Sequence, residues 1–131
     1  MKNENKKTGA DGEKIAQQYL EKEGYEIIDK NFYCRFGEID IIAKRGEEIV
    51  FVEVKTRKQS KYGEPAESVT KCKQNNIYKV AEFYTYFYQL YDTPMSLDVS
   101  EVYIFDDGET RVAHIKNAII ENPYKTFFVR R

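Results

Sequence analysis

The sequence predicts an α/β sandwich around a small mixed sheet, with its elements in the order αβββαββ. Three observations predict it. Two strictly alternating runs, 37–44 and 49–56, meet across a short polar turn containing Gly46, which is the pattern of a β-hairpin. Two segments with apolar residues at helical spacing, near 9–23 and 69–91, flank the strands. A further alternating run, 97–105, is followed by Asp107-Gly108, a strong turn signal, and a return strand at 111–115.

Thr8, with Asp11 three residues on, is the expected N-cap of the first helix. Ile15, Ala16, Tyr19 and Leu20 then recur at helical spacing until Gly24 stops the turn, leaving residues 1–8 as a flexible tail. Tyr25, Ile27 and Asp29 alternate in a first strand over 25–32. After the hairpin, 57–68 contains Gly63 and Pro65 and reads as a loop that becomes ordered when substrate arrives. In the second helix Ile77, Val80, Ala81, Tyr84, Phe87, Tyr88 and Tyr91 form one stripe, expected to be core. A short helix over 118–121 precedes Pro123, and 119–131 reads as a C-terminal extension to a domain spanning 9–118.

The hairpin carries the chemistry. With a symmetric four-residue loop at Arg45 to Glu48, Asp40 faces Glu53 and Glu38 faces Lys55. The opposite face pairs Ile39 with Val54, Ile41 with Val52 and Ala43 with Val50, so it belongs in a core. Like charges directly opposed across a sheet destabilise it, so the Asp40 and Glu53 pair needs a reason. One reason is a hard divalent cation: Mg²⁺ is commonly held by one or two carboxylates plus water and substrate phosphate. Lys55 lies two residues past Glu53, on the same face by the period of two. The plain alternative is that Glu38, Asp40, Glu53 and Lys55 form the solvated face of an exposed hairpin. Against it stands Ile42 opposite Phe51 on that face, which argues for partial cover.

At 131 residues the chain is one domain that needs neither disulfides nor a structural metal to build a core. The hydrophobic share of 41% and charged share of 33% fit an ordinary soluble globule. No apolar run is long enough to span a membrane and no secretory signal follows Met1 to Lys7, so a cytoplasmic location is expected. Cys34 and Cys72 lack metal-knuckle spacing and read as reduced spectators. The net charge is −1 but unevenly spread. From Lys55 to Lys79 seven bases stand against two acids, whereas from Glu82 to Glu109 there are seven acids and no base. Such a basic block suits phosphate neutralisation, although a charged loop next to a helix is more often plain solvated surface.

Two features outside the hairpin could join the site. Glu13 sits in the first turns of helix one, where Gly12 removes a side chain from the approach to the sheet. Glu13 could complete a metal shell, or it could simply favour the positive end of the helix dipole. Lys71, Gln74 and Tyr78 are spaced to share a polar, phosphate-facing edge of helix two.

Gly12-Glu13, Asn31-Phe32, Gly37-Glu38-Ile39-Asp40, Phe51-Val52-Glu53-Val54-Lys55, Gly63, Ser68-Val69-Thr70 to Lys73-Gln74 and Leu97-Asp98-Val99 together resemble the small bacterial YraN family over about residues 9–118. That family is similar to the PD-(D/E)XK nuclease superfamily, and within it to the archaeal Holliday junction resolvases, with a restriction-endonuclease-like αβββαβ core. The resemblance implies a nuclease in which Asp40 and Glu53 ligate Mg²⁺ or Mn²⁺, Lys55 is the catalytic lysine and Glu13 the acid of the first helix. Arg57, Lys58, Lys61, Lys71, Lys73 and Gln74 would then contact the nucleic acid, expected to be DNA. Resolvase-like relatives work as symmetric dimers, so a homodimer is a possible state, with Phe127 to Val129 pairing between subunits. Glu38 is expected to form an ion pair with Lys55. Two positions depart from the pattern: Ile39-Asp40 stands for Pro-Asp, and Ser96-Leu97-Asp98 for Arg-Phe-Asp, which makes Asp98 a structural residue. The rival class is a non-catalytic nucleic-acid-binding or assembly module that keeps the fold, and a third is a protein-interaction domain.

Overall fold

In a computed structural model the two periodicities become two helices and five strands: α1 (Lys2–Lys22), β1 (Glu26–Cys34), β2 (Gly37–Arg45), β3 (Glu48–Gln59), α2 (Lys71–Phe87), β4 (Met95–Phe105) and β5 (Thr110–Ile115). The structure describes the backbone of residues 2–59 and 71–119 and the side chains of 9–58 and 73–119. The strands form one mixed sheet in the order β1-β2-β3-β4-β5. β1, β2 and β3 are antiparallel neighbours, β4 runs parallel to β3, and β5 returns antiparallel to β4. Parallel neighbours need a crossover, and α2 supplies it.

Alternation along the strands divides the core into two layers. Ile41, Ala43, Val50, Val52 and Val102 pack against Ala16 and Leu20 of α1. Ile42, Phe51, Leu97 and Val99 pack against Ile77, Val80, Ala81 and Tyr84 of α2. A helix on each face makes an α/β/α sandwich. Among the described residues no helix is long and apolar enough to cross a membrane.

The hairpin keeps the expected register from Ile41 opposite Val52 to Arg45 opposite Glu48. Its loop is two residues rather than four, with Gly46 at φ +61° in the left-handed region that such a turn requires. Ile39 departs from expectation. It is buried with Ile42 and Phe51 on the α2 side, not with Ile41 on the α1 side. Asn31 lies between Lys30 and Phe32, which pair with Ile41 and Ile39, and it takes φ +51°. This left-handed residue breaks the pleat opposite Asp40, and the strand changes face there.

Other expectations are corrected. Helix α1 begins at Lys2, so Thr8 lies inside it and is not its N-cap. β3 runs on through Arg57, Lys58 and Gln59, which pair with Tyr103, Ile104 and Phe105 of β4 and so are not loop. Residues 60–70, including Lys61, lie outside the described residues. Helix α2 ends at Phe87, where the aromatic stripe leaves the core: Tyr84 is buried, but Phe87, Tyr88 and Tyr91 are exposed. Ile119, assigned to an extension, is buried in the α2 layer and receives the Tyr78 hydroxyl on its carbonyl at 3.4 Å. Tyr78 is thereby a core residue and not part of a polar edge. Of the expected helix at 118–121 only residues 118 and 119 are described and they are not helical, while Phe127 to Val129 lie outside the described residues.

Asp98 is fully buried, as a structural residue should be. It accepts from the Asn117 backbone N–H at 2.9 Å and from the Ser96 hydroxyl, and its Oδ2 is 2.8 Å from Nε2 of His114 on β5. Burial alone would push its carboxyl up, but these hydrogen bonds together hold it below its ordinary value. The His114 ring stacks on Tyr19 of α1, tying the sheet's far edge to the helix.

Candidate functional site

Within β2, just past the last pair it makes with β3, the regular ladder gives way to a side chain. Asp40 Oδ2 accepts the Val54 backbone N–H at 2.8 Å, one step beyond the Ile41 and Val52 pair. A carboxylate therefore sits between two strands where a backbone carbonyl would otherwise be. Asp40, Glu53, Val54, Lys55 and Thr56 line one pocket together with Gly9 and Glu13 of α1. The structure thus brings Asp40, Glu53, Lys55 and Glu13 to one place.

Burial decides the electrostatics. Asp40 is half-buried and its carboxyl is pushed up to about 8, chiefly by desolvation and then by the Glu53 charge, while the Val54 N–H pulls it down. Glu53 is 6% exposed and is also pushed up, by desolvation against the opposing charges of Lys73 and Lys55. Its Oε1 is buried without a hydrogen-bond partner. An unpartnered oxygen of a buried carboxyl is costly, and a cation is the group that would satisfy it.

Glu13 stands further back. Its Oε1 accepts from Asn31 Nδ2 at 3.1 Å, and its charge adds to the upward push on Asp40. Among the described residues no three His, Cys, Asp or Glu side chains gather closely enough to hold an ion. The protein itself offers a pair of carboxylates. Helix α1 comes this close because residue 12 is glycine: a Cβ there would lie 1.8 Å from Thr56 Oγ1.

The remaining candidates divide. Lys73 Nζ, in the first turn of α2, lies 3.6 Å from Glu53 Oε2 and so joins the acid pair. Arg57 turns to Glu101 of β4, 3.6 Å away, with its side chain only 14% exposed, so it is not presented to solvent as a phosphate contact. Lys58 is exposed and Gln74 half-buried. The side chain of Lys71 and the whole of Lys61 lie outside the described residues. No Glu38–Lys55 ion pair forms: Glu38 is exposed opposite Tyr33 of β1, and Lys55 lies opposite Glu101 of β4. Cys34 is a free thiol.

Sequence reasoning missed the contacts of Asn31 with Glu13 and of Lys73 with Glu53, and the close approach of Thr56 to Gly12. An asparagine at a strand kink is a readable signal, since Asn tolerates the left-handed region. The Thr56 and Lys73 contacts depend on packing between elements and carry no local mark.

Comparison with known proteins agrees on a single family. The profile of a family described as "Uncharacterised protein family UPF0102" matches residues 12–106. A UPF0102 protein of Clostridioides difficile strain 630 is 47% identical over 114 residues, covering 87% of this chain and 97% of its own. One from Caldanaerobacter subterraneus subsp. tengcongensis is 48% identical over 121 residues, 90% of this chain and 99% of its own. Another, from Caldicellulosiruptor bescii, is 50% identical over 111 residues, 84% of this chain and 92% of its own.

Proposed function

We propose, for a chain that belongs to the uncharacterised protein family UPF0102, the metal-dependent hydrolysis of nucleic-acid phosphodiester bonds in the pocket between α1 and the β2–β3 edge. The observation that carries the reading is the buried pair Asp40 and Glu53, in which the Glu53 charge helps push the Asp40 carboxyl up, with Glu53 Oε1 without a hydrogen-bond partner and Lys55 lining the same pocket. Hard oxygen donors that few in number suit Mg²⁺ or Mn²⁺, which complete their coordination with water and substrate phosphate. The resemblance to the PD-(D/E)XK nucleases points to the same chemistry.

In this reading Asp40, Glu53 and the Val54 carbonyl would hold the ion, and the Val54 N–H keeps the Asp40 carboxyl in place. The ion, when bound, supplies Lewis acidity at the scissile phosphate and makes water a stronger nucleophile at neutral pH. Lys55 orients the attacking water and stabilises negative charge as it develops on the phosphate. Glu13, tied to Asn31, holds a water at the back of the pocket. Lys58 on the exposed end of β3 gives a salt-sensitive grip on the nucleic-acid backbone. A DNA substrate, branched in the manner of a Holliday junction, follows from the resemblance alone.

The test is incubation with linear, flapped and four-way branched DNA in Mg²⁺, Mn²⁺ or chelator. Metal-dependent products are expected, lost in both Asp40→Asn and Lys55→Ala; cleavage retained by both variants would refute the assignment. One observation favours a second reading, binding without turnover: Lys73 already offers Glu53 a counter-charge without any metal. That reading predicts chelator-insensitive retardation and no products.

A further inference from the structure

Lys73 occupies an unusual place for a cation. It lies in the first turn of α2, a 17-residue helix with no acid in that turn, and so at the end of the helix dipole that repels positive charge. Glu53 Oε2 lies 3.6 Å from its Nζ and offers a counter-charge. That distance is longer than a direct charge-assisted hydrogen bond of about 2.8 Å, and the Lys73 side chain is 44% exposed while that of Glu53 is 7% exposed. The pair is therefore loose on the lysine's side and fixed on the glutamate's. The other oxygen, Oε1, stays buried and unpartnered, so one ammonium does not satisfy the carboxylate. Lysine also suits release: it is a point charge on a flexible four-carbon stem, without the rigid fork by which arginine grips a carboxylate.

We propose that Lys73 is an exchangeable counter-ion, which neutralises Glu53 until a divalent cation binds between Asp40 and Glu53 and is then expelled toward the phosphate backbone of the nucleic-acid ligand. The inference rests on the metal-dependent reading above and adds a coupling to it. A divalent cation at Glu53 offsets the carboxylate charge that draws Lys73 and repels the ammonium, while the helix dipole favours an anion at that end. Metal binding thereby creates a phosphate contact that is absent beforehand. By linkage, nucleic acid must tighten the metal by the same factor by which the metal tightens nucleic acid. Lys73 is a positioning residue, so its effect is read in binding rather than turnover.

The experiment is calorimetric titration of Mn²⁺ into the full chain, wild type, Lys73→Met, Lys73→Arg and Asp40→Asn, followed by retention of a short DNA duplex with and without Mn²⁺. Wild type is expected to bind one Mn²⁺ that Asp40→Asn does not bind. Lys73→Met should bind it about fivefold more tightly, the weight of a partly exposed ion pair, because no ammonium has to be displaced. In the same variant Mn²⁺ should no longer strengthen DNA retention, whereas Lys73→Arg keeps both wild-type behaviours. Equal or weaker Mn²⁺ affinity in Lys73→Met, with wild type still binding, overturns the exchange while leaving the metal site standing. Failure of wild type to bind Mn²⁺ at all overturns the metal-dependent reading itself, and the exchange with it.

Discussion

A carboxyl raised to about 8 is half protonated at that pH, so metal-free Asp40 enters the neutral range holding a proton that an ordinary aspartate has lost near 4. The sign of the stability effect follows. The folded state binds this proton more tightly than the unfolded state, so its contribution is complete below about 4 and is lost as pH rises through about 8. In chelator, thermal unfolding of the wild type should weaken across that window. Asp40→Asn, which can still accept the Val54 N–H, should flatten the slope and be the more stable protein at pH 8 by about 1 kcal/mol or more. An unchanged slope in the variant would remove Asp40 as the cause. That Asp40 and Glu53 lie near one another was legible from the hairpin register, although the paired ladder ends at Ile41 and Val52 and the alternation breaks at Asp40. The raised carboxyl was not, since it depends on how deeply α1 and the strand ends bury the pair.

Elements position these residues through contacts that a single run of sequence does not contain. Gly12 is the clearest case: a Cβ there would also fall 2.8 Å from the Thr56 Cβ, so α1 must move away from β3 to admit a methyl group. Gly12→Ala should cost about 1–3 kcal/mol by urea denaturation, the usual penalty for overpacking, and should carry Glu13 away from the pocket. On the far side of the sheet, His114→Ala leaves the Asp98 carboxyl short of one partner in a buried site. A loss of about 2–4 kcal/mol is expected, and near-wild-type stability would show that the network does not anchor β5. The five strands and two helices were readable from periodicity. Element ends were not: β3 gains Arg57 to Gln59 from its parallel partner β4, and Ile39 changes face because Asn31 bends the strand beside it. The stripe of the second helix was read as core throughout, but α2 ends at Phe87, and Phe87 and Tyr88 are exposed.

At the scale of the molecule, the sandwich places its acids where the β2–β3 ladder opens, with lysines from two elements around them. Lys55 arrives from β3 and Lys73 from α2, so the basic block seen in the sequence is partly drawn into the site and partly spent on Glu101 through Arg57. Exposed Lys58 remains for long-range attraction. DNA affinity should therefore fall steeply with salt, and Lys58→Ala should weaken binding to all sequences alike while lowering the log–log salt slope by about one. A slope unchanged by the substitution would place the nucleic acid elsewhere. The most direct measurement is crystallographic: soak the protein in Mn²⁺ and collect anomalous differences at the manganese edge. The account predicts one peak about 2 Å from oxygens of both Asp40 and Glu53, with Lys73 turned away from Glu53. A pocket without a peak, with Lys73 still against Glu53, would contradict it.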